Sequence, residues 1–198
     1  MPLPVTVGGK VAAADINAIA NLPVASFASL PATGNWLGRQ IAATDTGISW
    51  RWDGAAWRAW GSSWITYTPT VVGFTIGTGG AAASVFRYRY AQGVVRVKFR
   101  RTLGTTGFAV ASNPTFSLPV SSVAVPHQLA AHAGFGSAFD VSAVNVAGLL
   151  CVASDSLATD FRIYTIGATY AAGAINATLP WTWAAGDAVA GEFVYEPA

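Results

Sequence analysis

Two neighbouring runs of alternating residues constrain this chain more than any other feature. Residues 86–90 read Phe-Arg-Tyr-Arg-Tyr, and residues 94–100 read Val-Val-Arg-Val-Lys-Phe-Arg. A period of two places the cations on one face of a strand and the apolar side chains on the other. Gln92 and Gly93, between the runs, predict a tight turn. The sequence therefore predicts a β-hairpin with one cationic and one apolar face.

The basic residues of the chain are concentrated in this hairpin. It carries five of the eleven lysines and arginines, with a sixth at residue 101 directly after it, and no acid lies between Asp53 and Asp140. If the cationic faces of the two strands coincide, they can bind phosphate-bearing glycopolymers or other anionic surfaces. The alternative is that these positions are solvated strand residues that discourage association or pair with acids of another subunit. The candidate ligand or assembly residues are Arg87, Arg89, Arg96, Lys98 and Arg100.

The composition is apolar and poor in charge. Hydrophobic residues make up 53% of the 198 positions and charged residues only 10%, against about 25% in ordinary soluble domains. Such a surface favours assembly, and we expect an oligomer. The net charge of +2 is too small to indicate a nucleic-acid partner.

Targeting signals are not apparent in the sequence. No apolar run reaches the roughly 18 residues expected of a membrane span. Residues 1–10 lack the basic and apolar regions of a signal peptide. We therefore expect synthesis in the cytoplasm and no membrane insertion.

The chain divides into three predicted segments, of which the first, residues 1–25, contains a short helix. Residues 12–21 place Asp15 in the first turn and Ile16 and Ile19 on one face, and Pro23 follows the end. A helix this short is marginal alone and needs a partner surface. This segment is the predicted attachment segment.

The second segment, residues 26–65, is a predicted Trp-rich β-meander. Its strands lie at residues 40–43, 48–52 and 56–60, with a tight turn at Asp53 and Gly54. Exposed tryptophans could stack on sugar rings, but packing is the favoured role in a small sheet with few other large residues. Five of the chain's eight tryptophans lie within fifteen residues of this segment, namely Trp50, Trp52, Trp57, Trp60 and Trp64.

The third segment, residues 66–198, consists of short strands separated by Gly, Pro and Asn. This spacing predicts an all-β fold with a C-terminal, jelly-roll-like β-sandwich. The predicted strands are residues 70–76, 83–90, 94–103, 115–118, 128–135, 144–152, 161–166, 174–179 and 188–195.

Residues suited to catalysis or cofactor binding are sparse. His127 and His132 have no neighbouring carboxylate or thiol, so we predict no metal site. The glycines of residues 77–80 lack the lysine, hydroxyl and helix of a phosphate loop and predict a turn. Cys151 stands alone in an apolar run and is predicted to be buried. We expect no enzyme and no cofactor, although a glycosidase pair is conceivable among Asp140, Asp155, Asp160 and Asp187.

Several motifs, taken in order, resemble a known family. They are Ala-Ala-Asp-Ile-Asn-Ala-Ile from residue 13, Arg-Trp-Asp-Gly-Ala-Ala-Trp from residue 51, Tyr-Thr-Pro from residue 67, the hairpin at residues 88–100, and Leu-Pro-Trp-Thr-Trp-Ala-Ala-Gly-Asp from residue 179. This series resembles the small tail-fibre or minor tail proteins of tailed bacteriophages, especially those that infect actinobacteria.

The resemblance implies a virion protein, usually a homotrimer. Its N-terminal segment would attach to other tail or baseplate proteins, and its C-terminal β-sandwich, residues 66–198, would bind a polysaccharide on the host cell. Related architectures also occur on capsids, so a capsid decoration or head-fibre protein is the alternative. Neither role involves nucleic acid or a cofactor.

Overall fold

The protein is built almost entirely from β-strands. The computed structural model describes residues 23–24, 26–122, 133–153, 159–166 and 173–198. Those residues form strands that pair antiparallel and a single 3-10 turn, Phe27–Ser29, which confirms the predicted all-β class. No helix in these ranges has the length and apolar character needed to cross a membrane. The predicted attachment helix with Asp15, Ile16 and Ile19 lies outside the described residues.

The chain forms two compact units, the first ending at Ser63 and the second beginning at Trp64. The predicted boundary lies between residues 65 and 66. The first unit contains an antiparallel meander close to the predicted positions, formed by β1 (Gln40–Ala43), β2 (Ile48–Trp52) and β3 (Trp57–Ser62).

Asp53 closes the turn between β2 and β3. Its Oδ1 accepts hydrogen bonds from the N–H groups of Ala56 and Ala55, at 2.7 and 2.8 Å, and its Oδ2 lies 2.9 Å from Nε of Arg58. These hydrogen bonds, with that from Ala56 the strongest influence, lower the pKa of Asp53 to about 2. The predicted Asp-Gly turn is therefore present and is fixed by its own side chain.

Four tryptophans of the first unit, Trp50, Trp52, Trp57 and Trp60, are half-buried and pack against local partners, whereas Trp36 is exposed. The ring of Trp50 lies 4.4 Å from that of Phe27, and Trp52 lies 5.6 Å from Trp57. The guanidinium of Arg51 lies 4.5 Å from the ring of Trp60. Trp64 was predicted to belong to the same meander, but it lies in the second unit.

The second unit contains one antiparallel sheet in its described residues. Along this sheet the strands follow an order that joins segments distant in sequence. The strands are β4 (Ile65–Thr66), β5 (Val71–Thr75), β6 (Ala83–Ala91), β7 (Val94–Thr102), β8 (Ala109–Ser117), β9 (Ala133–Asp140), β10 (Asn145–Ala153), β11 (Asp160–Thr165), β12 (Gly173–Ala174) and β13 (Ala188–Tyr195). Their order is β6-β7-β13-β9-β10-β11-β8-β5, with β4 paired to β6 and β12 to β11.

The strands β6 and β7 form the predicted hairpin. Tyr90 pairs with Val95, and Ala91 pairs with Val94. Between them Gln92 and Gly93 have φ angles of 56° and 86°, as a two-residue type I′ turn requires. The predicted turn is confirmed.

The strand β8 begins earlier than predicted. Asn113 and Pro114 read as a break in the sequence, yet β8 runs through them from Ala109 to Ser117. Its partner β5 shifts register at Gly73, which has a φ of 77° and whose Cβ, if present, would lie 3.4 Å from Cα of Pro114. A bulge at this glycine lets a proline occupy a paired strand.

Two other strands also differ from the prediction. The strand predicted at residues 128–135 is observed at Ala133–Asp140, and residues 128–132 lie outside the described ranges. The strand predicted at residues 174–179 is reduced to Gly173–Ala174. Here the side chain of Asn176 accepts a hydrogen bond of 2.9 Å from the N–H of Thr178 and closes a turn instead.

Phenylalanine rings fill the core of the second unit. Phe99 on β7 lies 5.3 Å from Phe161 on β11, although three strands separate β7 from β11 along the sheet. Phe161 also lies 5.0 Å from Phe116 on β8 and 4.6 Å from Phe193 on β13. The sheet must therefore curl so that its two halves face each other across these rings. Burying each ring stabilises the fold by about 1.5–3 kcal/mol.

Three glycines line the inner face where the sheet curls. A Cβ at Gly134 would collide with the backbone of Glu192 and Phe193, and one at Gly136 would collide with the carbonyl oxygen of Ala190. A Cβ at Gly191 would lie 3.0 Å from both Sγ of Cys151 and Cε1 of Phe99. Because glycine has no side chain, β9 and β13 can approach closely at these positions on the inner face of the curled sheet.

We expect Gly136→Ala to lower the free energy of unfolding by about 2 kcal/mol, because the added methyl collides with backbone that cannot move freely. Urea denaturation of the purified chain measures the change. Gly148→Ala is the matched control, since its Cβ would lie 3.9 Å from Ile166 in ordinary contact. Equal stability of the two variants would contradict a steric role for Gly136.

Candidate functional site: the cationic face of β6 and β7

The register of β6 and β7 brings the predicted cations onto one face. Arg87 pairs with Lys98, and Arg89 pairs with Arg96. Arg100 continues the row on β7. Directly paired residues of an antiparallel sheet project from the same side, so the two cationic faces coincide. We call these five side chains the cationic face.

Trp64 lies within the cationic face. Ile65 on β4 pairs with Tyr88, which places Trp64 beside Arg89. The guanidinium carbon of Arg89 lies 4.8 Å from the centre of the indole, and Nζ of Lys98 lies 4.1 Å from it. Both distances are within cation–π range, where each contact contributes about 0.5–1 kcal/mol at an exposed site. The indole therefore holds two of the cations in fixed positions.

Glu192 is the acid that the neighbouring strand β13 adds to this face. It pairs with Lys98 in the register, and its Oε1 lies 3.2 Å from Nε of Arg96. The side chains of Arg96 and Glu192 are 41% and 48% exposed, so this ion pair contributes at most about 1 kcal/mol. One acid among five cations leaves the face with a net charge of +4 in the described residues.

The spacing of these cations suits a repeating anion. Alternate residues on a strand are about 7 Å apart, and neighbouring strands are about 5 Å apart. The cationic face is thus a grid of donors that can contact several charged groups of one extended anion at once. Its two like-charge pairs, Arg87 with Lys98 and Arg89 with Arg96, cost stability locally, by up to about 1 kcal/mol each.

The buried aspartates Asp140 and Asp187 accept hydrogen bonds in turns. Asp140 accepts hydrogen bonds from Oγ of Ser142 and from the N–H groups of Ala143 and Ser142, and the Ser142 hydroxyl contributes most to lowering its pKa. Asp187 is fully buried. Its oxygens accept hydrogen bonds from the N–H of Ala184 at 2.8 Å, from the N–H of Val141 at 3.0 Å and from Nε1 of Trp181 at 3.2 Å.

The other candidate groups also have structural positions. Cys151 is buried, and burial raises its pKa to about 12, which confirms its predicted role as a small core residue. Residues 77–80 form the predicted turn, with positive φ at Gly77, Gly79 and Gly80. Across the described ranges no three His, Cys, Asp or Glu side chains group as metal ligands. His127, His132 and Asp155 lie outside those ranges.

Sequence reasoning found the five cations but missed Trp64 and Glu192. Trp64 was grouped with the preceding tryptophans because it lies next to them in sequence. Glu192 lies nearly a hundred residues after Lys98, and only the pairing of β13 with β7 brings the two together. The alternation around Glu192, between Gly191 and the buried Phe193, was the available signal that it faces outward.

Comparisons of the chain with protein-family models, with curated proteins and with solved structures gave no match.

Proposed function

We propose that this chain is a non-enzymatic virion protein of a tailed bacteriophage, a tail-fibre or minor tail protein that binds an anionic glycopolymer on the host cell. The observation that carries the proposal is the cationic face, where five cations share one side of a paired hairpin with one acid among the residues that the structure describes. The order of motifs along the chain supports the phage origin. Residues 1–25 would attach the protein to the particle.

Binding through the cationic face would rest on several weak contacts. Arg87 and Arg100 are exposed, whereas Arg89, Arg96 and Lys98 are half-buried. The exposed guanidiniums can each donate two hydrogen bonds to one phosphate or carboxylate. Trp64, which contacts Arg89 and Lys98 and is half-buried, adds apolar surface. Because a polymer repeats its charges, copies of the protein on one particle would bind with avidity.

The second unit would be a jelly-roll-like β-sandwich that associates as a homotrimer. The curl of the sheet around its phenylalanine core supports a sandwich. A strip of exposed apolar side chains on β9, β10 and the end of β11 supports self-association. We call it the apolar strip, and it consists of Phe135, Phe139, Val146 and Ile166, which are 70%, 41%, 59% and 47% exposed.

We expect Arg87→Glu/Arg96→Glu to weaken binding to immobilised polygalacturonate by about tenfold or more, because the net charge of the cationic face falls to zero. Retention over a salt gradient measures the change. Both like-charge pairs become opposite-charge pairs, which offsets the loss of the ion pair between Arg96 and Glu192, so the free energy of unfolding should stay within about 1 kcal/mol of the parent value.

The matched control for this variant is Arg39→Glu/Arg162→Glu, which changes the net charge of the chain equally at positions outside the cationic face. It should leave retention largely unchanged. Equal loss in both variants would mean that only overall charge matters, and unchanged retention in both would reject the cationic face as a binding surface.

Location on the particle tests the virion proposal. We expect an antibody against residues 66–198 to place immunogold at the tail tip of virions that encode this chain. Gold over the capsid would instead support a decoration or head-fibre protein. Intact virions without label, in preparations where the purified chain is labelled, would contradict both roles.

We expect the purified chain to have about three times the 20.4 kDa mass of one chain by light scattering. Phe135→Asp/Val146→Asp should convert it to a monomer, because charges would replace apolar side chains at the subunit contact. Val72→Asp is the control, since Val72 is 63% exposed on β5, outside the apolar strip. A monomeric parent protein at micromolar concentration would contradict the trimer.

A further inference from the structure

An open cleft lies on the inner side of the second unit, beside the end of the hairpin. Its volume is about 510 Å³. It is bounded by β5, by the turn that follows β5, and by the paired ends of β6 and β7. Apolar and hydroxyl side chains line it around one cation, Arg101. We call it the Arg101 cleft.

Arg101 is a buried cation whose charge has few partners. It is only 6% exposed. Its Nη2 donates a hydrogen bond of 3.1 Å to the carbonyl oxygen of Phe74, while its Nε has no hydrogen-bond partner. Among the described residues, no carboxylate lies within ion-pair distance of it. Burial lowers its pKa to about 10, so it remains charged at neutral pH.

Aromatic rings compensate part of the cost of burying this charge. The guanidinium carbon lies 5.3 Å from the ring centre of Phe74, 5.9 Å from that of Phe116 and 6.0 Å from that of Phe86. Cation–π attraction at these distances contributes about 1–2 kcal/mol. A buried charge without a counter-ion costs more than that, so the electrostatics favour an anion beside Arg101.

The wall of the cleft is held firmly in place. The N–H of Gly104 donates to the carbonyl oxygen of Ile76 at 2.7 Å, and the N–H of Thr78 donates to that of Thr106 at 2.9 Å. Gly77 lies between them with a φ of 70°, and a Cβ there would collide with the carbonyl oxygen of Thr106. The two loops therefore form one rigid wall, which suits a preformed binding site.

We propose that the Arg101 cleft binds a small ligand that carries an oxyanion, either a carboxylate or a phosphate. Arg101 donates hydrogen bonds to the anion, and its planar guanidinium suits the two oxygens of such a group. Thr75, Thr78 and Ser84 line the cleft and are exposed, so their hydroxyls can bind the polar remainder of the ligand. The half-buried Val71 and Ile76 supply apolar surface.

This site is separate from the cationic face and does not rest on the function proposed above. Arg100 and Arg101 are consecutive on β7, so their side chains project from opposite sides of the sheet. Arg100 is exposed, and Arg101 is buried. A variant of each residue therefore removes the same charge from the same strand while affecting only one of the two surfaces.

The test is isothermal titration calorimetry of the full chain with sodium D-glucuronate, inorganic phosphate and neutral D-glucose. We expect at least one anion to bind and glucose not to bind. Binding of glucuronate alone assigns a carboxylate ligand, and binding of phosphate alone assigns a phosphate ligand. Failure of both anions to bind at millimolar concentration would overturn the proposal.

Variants assign the binding to the cleft. Arg101→Met should weaken anion binding by about tenfold or more, whereas Arg100→Met should leave it unchanged. Ser84→Trp is a second variant that retains Arg101. Ser84 pairs with Arg101 and is exposed at the mouth of the cleft, so the indole should block entry. If Arg101→Met does not fold, Ser84→Trp decides alone, and anion binding at the parent affinity in that variant would overturn the proposal.

Discussion

The contact between Phe99 on β7 and Phe161 on β11 is the interaction on which the second unit depends. These rings lie 5.3 Å apart and are 4% and 0% exposed, yet their strands are not neighbours in the sheet. Only a sheet that curls over can bring them together. The curl in turn requires bare backbone at Gly134 and Gly136 on the inner face. The curl of the sheet therefore depends both on the packing of the core rings and on the positions of these glycines.

The same core determines where the charges of the hairpin lie. Val95, Val97 and Phe99 are buried along β7, so the residues between them must face outward. This alternation of inward and outward side chains produces the cationic face. By the same alternation Arg101 faces inward, and it is buried against Phe74. A single alternating run therefore places cations on both sides of the sheet, in a solvated row on one side and as a lone buried group on the other.

Local sequence patterns predicted the local structure well, but they could not predict which strands pair with segments distant in sequence. The hairpin turn at Gln92 and Gly93 and the strand Ala188–Tyr195 were predictable from period and turn chemistry. The extension of β8 through Pro114 was not, because the compensating bulge at Gly73 lies on another strand. The positions of Trp64 and Glu192 also depend on pairings with distant segments. Arg101 occupies an inward position of the alternating run, like Val97 and Phe99, but arginine is rarely buried, so its burial was not predicted.

The like-charge pairs of the cationic face do not help the hairpin to form. Arg89 directly opposite Arg96 is unfavourable in water, and the one ion pair on the face, between Arg96 and Glu192, is half exposed. The hairpin is held instead by its inner side, where Phe86 stacks on Phe99 at 5.6 Å. Because the inner side supplies the stability, the outer side is free to carry like charges side by side. An anion lying across the face would relieve this repulsion, which is why we propose a binding role for it.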